Sequence, residues 1–226
     1  MVSLLLRLAS AGLCAVALAG CGGGGRPVRT AVDPAAPKQA FLTPAERAKA
    51  DSGRPPYTRA DVHFMSGMIG HHAQAVLIAG WAPSHDASRS IRALCERIVV
   101  AQRDEIAFMQ RWLRERREEV PNADPSPTHT MAGMDHSILM PGMLSAEQLA
   151  QLDGAKGTEF DRLFLTFMIQ HHRGAITMVE QLFGAQGAGQ DDGIFKFASD
   201  VNADQTTEVD RMSLMLLALP PRSGSP

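Results

Sequence analysis

The sequence predicts an all-α fold, a four-helix bundle made of two antiparallel helix hairpins. Three observations carry it: a fifteen-residue segment that returns 100 positions later, a second pair of apolar stripes that correspond at an offset of 103, and no convincing strand-like alternation anywhere. The repeated segment is Asp61-Val-His-Phe64-Met-Ser-Gly-Met68-Ile69-Gly-His71-His72-Ala-Gln-Ala75, which comes back as Asp161-Arg-Leu-Phe164-Leu-Thr-Phe-Met168-Ile169-Gln-His171-His172-Arg-Gly-Ala175. Seven positions match, and a His-His pair sits in the middle of each copy.

The chain has 226 residues, room for one mid-sized domain and processing segments. Residues 1–20 read as a signal peptide: Arg7 supplies the only charge, an apolar run covers Leu13 to Ala19, and Leu18-Ala19-Gly20-Cys21 follows. That ending resembles a bacterial lipobox, with lipid carried on Cys21, although Ala17-Leu18-Ala19 also suits a plain secretory cleavage. Gly22 to Gly25 favour the lipoprotein form as a flexible tether, and residues 21–56 as a whole are too poor in apolar surface to order themselves. The apolar run is too short for a permanent span. With Cys14 removed and Cys21 modified, Cys95 stands alone and reads as a small buried hydrophobe. Net charge moves from −2 to −3 when Arg7 leaves, and so weakly acidic a surface gives no reason to propose nucleic acid as a partner.

The folded region is expected at 57–219: repeat one at 57–119, a connection at 120–157 and repeat two at 158–219. Thr58-Arg-Ala-Asp61 is a capping box opening the first helix, which runs to about Trp81 before Pro83; Thr158-Glu-Phe-Asp161 is expected to open the second copy in the same way. Both aspartates therefore have a structural explanation. A second helix is expected over about 86–119, and its counterpart over about 192–219. Ile98, Gln102, Glu105, Ile106, Met109 and Trp112 correspond to Val201, Gln205, Glu208, Val209, Met212 and Met215, with four-three spacing that turns Gln102 and Glu105 toward other helices. A short helix capped by Ser145 and Gln148 is expected within the connection.

On the first helix Asp61, Phe64, Met65, Met68, His71, His72, Ala75 and Ala79 fall within roughly 60° of Met68, whereas His63 projects from the opposite side. Burying an imidazole without a partner costs about 1–3 kcal/mol, so each ring needs a hydrogen bond or a metal. Two readings stay open. The His pairs could be satisfied by Glu105, Glu208, Gln102 or Gln205 from neighbouring helices, or they could ligate an ion. The connection favours the ion: His129, Met131, Met134, His136, Met140 and Met143 place four Met and two His in fifteen residues of Gly- and Pro-bearing loop. Thioether with imidazole selects copper, above all Cu(I), over hard cations. The alternative for these methionines is a lid folded onto the bundle. Met109 and Met212 read as core filler, while Met65, Glu105 and Glu208 are secondary ligand candidates.

The twin Met-Ile-x-His-His motifs, the Gln-x-x-Glu-x-x-x-Met stripes and the Met140-Pro-Gly-Met143 loop together resemble the domain-of-unknown-function 305 family over about residues 57–218. The resemblance implies a secreted or lipid-anchored bacterial protein with a ferritin-like four-helix fold, in a family where some members bind copper in the periplasm. It implies metal ligands at Met68, His71, His72, Met168, His171 and His172 and at the loop Met and His residues. Met65 against Leu165 breaks the correspondence, so the two halves need not bind equally.

The expected function is thus an exported, membrane-tethered protein that sequesters or delivers Cu(I) or Cu(II), with no catalytic residue. Two alternatives remain. One is a ferritin-like di-iron or di-manganese oxidase using Glu105, Glu208, His72 and His172; it lacks the Glu-x-x-His motif on its main stripes, and Asp61 lies about 16 Å along the axis from His72. The other is a structural or interaction module without metal. Bundles of this kind often associate, so a homo-oligomer fits either.

Overall fold

A computed structural model describes residues 52–53, 56–126 and 139–221. The expected signal peptide, Cys21, and the 21–56 tether apart from residues 52, 53 and 56 lie outside the described residues, as do His129, Met131, Met134 and His136. The described chain is all-helical: α1 (Arg59–Gly80), α2 (Arg89–Glu115), the short α3 (Ala146–Asp153), α4 (Gly157–Gly184) and α5 (Asp192–Leu217). α1 packs on α2 and α4 on α5 as two hairpins, which meet through α1 and α4; α3 lies against α4. None of these helices is long and apolar enough to cross a membrane.

α1 begins as its sequence dictates. The Thr58 hydroxyl accepts from the Asp61 amide, and the Asp61 carboxylate accepts from the Thr58 amide at 2.6 Å. The other oxygen of Asp61 accepts from the Gly189 amide at 2.7 Å, in the loop ahead of α5. α4 departs from the expectation. It starts at Gly157 after Lys156, with no side-chain cap, because Asp161 is drawn away to accept from the Ser88 amide at 3.1 and 3.3 Å. Each aspartate thus clamps the entry to the second helix of the other hairpin.

α2 is shorter than expected. It begins after Ser88, whose hydroxyl caps the Ile91 amide, with Asp86 left in a positive-φ turn. At its other end Arg117 adopts φ 57°, and the Glu118 and Arg117 amides donate back to the carbonyls of Leu113 and Arg114, a Schellman turn that ends the helix before Pro121. α5 stops at Leu217. His85, not singled out from the sequence, is buried against Phe160; its ring nitrogens lie 2.9 Å from the carbonyls of Trp81 and Asp153, tying the first hairpin to the end of α3.

The core has two apolar halves. One gathers Ile78, Leu94, Ile98, Phe160, Phe164, Met168 and Met212, and the other Phe64, Met65, Met68, Met109, Met178 and Val201. Between them, at mid-height of all four long helices, comes a buried polar waist of His71, His72, Gln102, His171, His172 and Gln205. α1 is buried nearly all round, Ser66, Gly67, Gly70 and Gln74 included, because residues 140–144 cross it on the side away from α2.

Candidate metal centre

The expected inner face of α1 is buried from Asp61 to Ala79, and His63 is exposed, as its angle requires. All four imidazoles of the repeated pairs are 0% exposed. They form a row across the waist, with ring centroids 6.3 Å apart from His72 to His71, 3.8 Å from His71 to His171, and 6.3 Å from His171 to His172. Pairing with the expected carboxylates does occur. His72 Nε2 lies 2.7 Å from Glu105 Oε2, and His172 Nε2 lies 2.6 Å from Glu208 Oε2. Glu105 and Glu208 are about a quarter exposed, so each carboxylate joins a sealed ring to the surface.

The pairing satisfies only one side of each ring. Nδ1 of His71, His72, His171 and His172 has no hydrogen-bond partner among the described residues, and neither has Nε2 of His171. Gln102 Oε1 and both amide atoms of Gln205 are likewise buried and unpartnered there. His71 Nε2 donates to the Pro141 carbonyl at 3.0 Å. Burial, with the neighbouring His72, pushes the His71 pKa down to about 3, against the Pro141 bond that favours its protonated form. Burial, followed by the charges of His71, His172 and His72, holds His171 well below its ordinary value as well, against a weak approach to the His71 backbone that favours its protonated form. The central two rings are therefore neutral at physiological pH, and the lone pairs they offer suit a metal better than a proton.

Thioethers flank this row. Met65 and Met68 lie in one apolar half and Met168 in the other, all fully buried. Of the loop ligands expected from the sequence, Met140 and Met143 are brought to the bundle. Met143 is buried, and Met140 packs half-buried on the half that holds Met68, its sulfur over Gly67. Among the described residues no group of three or more His, Cys, Asp or Glu side chains converges on one point. The donors here are rows of imidazole and thioether.

Sequence reasoning missed the residues that hold the 140–144 strap. The Leu144 amide donates to Gln74 Oε1 at 2.7 Å, and Gln74 Nε2 donates back to the Leu144 carbonyl at 3.2 Å. Gln170 Nε2 donates to the Gly142 carbonyl at 3.4 Å. A usable signal was present: glutamine and glycine flank each His pair in opposite order, Gly70 and Gln74 in one copy, Gln170 and Gly174 in the other.

Residues 61–216, more than half of the chain, match the family described as Domain of unknown function (DUF305). The chain belongs to the DUF305 family. A DUF305 fragment from Deinococcus radiodurans is similar at 28% identity and a TM-score of 0.60, over 73% of this chain and 100% of its own. A DUF305 protein from Streptomyces coelicolor, named as secreted, is similar at 24% identity and 0.59, over 74% and 98%. CopM in its Cu(II)-bound form is similar at 24% identity and 0.54, over 70% and 95%. With the last two the likeness is one of fold. No curated protein matches. The DUF305 match spans both His pairs, both Glu partners and the strap.

Proposed function

We propose that this protein binds copper outside the cytoplasm and sequesters or delivers it, without chemical turnover. The observation that carries the reading is the buried imidazole row, in which four Nδ1 atoms have no partner among the described residues while three Nε2 atoms are directed at Pro141, Glu105 and Glu208. A histidine whose N–H is fixed on one side presents its lone pair on the other, which is how a ligating imidazole is prepared. His71, His72, His171 and His172 would hold the ion, with Met68 and Met168 as neighbouring soft donors. Imidazole suits copper in either oxidation state, and thioether adds preference for Cu(I). Met140 and Met143, with His129, Met131, Met134 and His136, would take up the ion first.

The copper-bound, Cu(I)-bound and silver-bound forms of CopM support the choice of a soft ion. The secreted name of the Streptomyces coelicolor relative supports a place outside the cytoplasm, and the lipobox-like Cys21 supports a membrane tether there. Glu105 and Glu208, which the oxidase alternative would need as metal ligands, are each engaged with a separate imidazole. That favours nitrogen and sulfur ligation over the bridging carboxylates of a di-iron or di-manganese oxidase. The test is titration of the mature protein with Cu(I) and Cu(II), with X-ray absorption on the loaded form. Nitrogen ligation lost in a His71→Ala/His171→Ala double variant is the expected result; wild-type protein that binds no tighter than a scrambled Met/His peptide would sink the reading.

A further inference from the structure

The 140–144 strap reaches His71 through a crossing that only glycine permits. A Cβ on Gly174 would lie 2.0 Å from the Pro141 carbonyl oxygen, and one on Gly142 would lie 2.6 Å from the Gln170 carbonyl oxygen, with Gly142 at φ 77°. Two backbones therefore touch at these glycines. Gln74 then fastens the strap at Leu144 from the α1 side, and Gln170 holds Gly142 from the α4 side while accepting from Gln148 of α3 at 3.0 Å. Gln74 and Gly174 occupy the same position of the repeat. One copy supplies the latch, and the other supplies the slot.

We propose that this strap is a positioning element for the metal centre: the Pro141 carbonyl fixes His71 as its Nε2–H tautomer, so that Nδ1 is the nitrogen offered to an ion, and Gln74 and Gly174 hold the carbonyl in place. The consequence is an unequal pair. His71 is a fixed donor, like His72 and His172 on their carboxylates, whereas His171 makes no well-formed hydrogen bond at either nitrogen among the described residues, only a weak approach to the His71 backbone, and is the ring that adjusts to the ion. A structure with two equivalent halves would have predicted the same surroundings for both central rings. The strap removes that equivalence, because it passes His71 alone at hydrogen-bonding distance.

The proposal rests on the copper reading only for its affinity arm. Long-range proton–nitrogen NMR of the metal-free wild-type protein should show His71 protonated at Nε2 alone. In Gly174→Ala, where the added methyl evicts the strap, the His71 signal should become a mixture of tautomers, and Cu(I) affinity, read by competition with a chromogenic chelator, should fall about 10- to 100-fold. Gln74→Leu removes the latch without adding a clash and should shift the same signal if Gly174→Ala does not fold. A wild-type His71 protonated at Nδ1, or a tautomer unchanged in every variant that folds, overturns the proposal. Wild-type protein that ignores copper while its His71 tautomer still follows the strap would end the copper reading and leave the positioning role standing. Copper binding with an unresponsive tautomer would do the reverse.

Discussion

Replacing His171 by leucine should make the metal-free protein more stable. The ring is fully buried, and both of its nitrogens lack a partner among the described residues. A neutral imidazole carries one donor and one acceptor, and an unpaired buried group costs about 1–3 kcal/mol. Leucine has similar volume and leaves nothing polar behind. It forfeits the tilted ring contact with His71, at 3.8 Å between centroids and worth about 1 kcal/mol. The net gain is about 2 kcal/mol, or about 4–8 °C in melting temperature for a domain of this size. The sign with pH follows from burial, which together with the other three histidines keeps folded His171 neutral well below its ordinary value of 6.5. The unfolded ring takes up a proton as pH falls through 6.5, so wild-type stability drops below that pH, and the leucine variant lacks this loss. The gap should therefore widen from pH 7.5 to 5.5. Calorimetry in the presence of a chelator reads both effects, and adding copper should raise the wild-type transition more than the variant's. A metal-free variant that melts below wild type would refute the reasoning, since it would mean that these nitrogens are satisfied in solution.

Asp61→Ala should cost about 2–4 kcal/mol by urea denaturation, because it removes the carboxylate half of the α1 capping box and leaves the Thr58 and Gly189 amides without their acceptor; a loss under 1 kcal/mol would contradict the cross-hairpin clamp. Burial alone would raise the Asp191 pKa, but bonds from Trp112, Arg116 and the Ile194 amide, with the Arg116 charge, hold it below its ordinary 3.8. Its contribution is thus present above that value and lost as pH falls below it, so the stability difference between wild type and Asp191→Asn should shrink across pH 4 to 2 in denaturant titrations. Burial, with Asp161 adding to it, pushes the Cys95 thiol up to about 12. In a Cys14→Ser/Cys21→Ser form, iodoacetamide should label Cys95 at pH 8 only after denaturant is added, as mass spectrometry would register.

The two His pairs, the buried face of α1 and the Thr58 cap were readable because each depends on residues within a few positions of one another. Hydrophobic period and capping chemistry are local. The cap expected at Thr158 failed because Asp161 found a stronger use 73 positions away, at the Ser88 amide. The end of α2 was misplaced because its left-handed residue is Arg117, where composition would point to glycine. The Gln and Gly that exchange places around the His pairs stood in plain view, yet their meaning depends on a strap that crosses both helices.

The sequence by itself determined that the chain is helical, that two hairpins carry matching His-His pairs on their inner faces, and that thioethers collect around them. Only the tertiary structure decided that the four rings form a single row, that Glu105 and Glu208 take one nitrogen each, and that Pro141 reaches His71 and no other ring. The physical reason is that periodicity fixes which way a side chain points from its own helix. What it meets there depends on how separate helices and the strap pack together, and no local pattern encodes that.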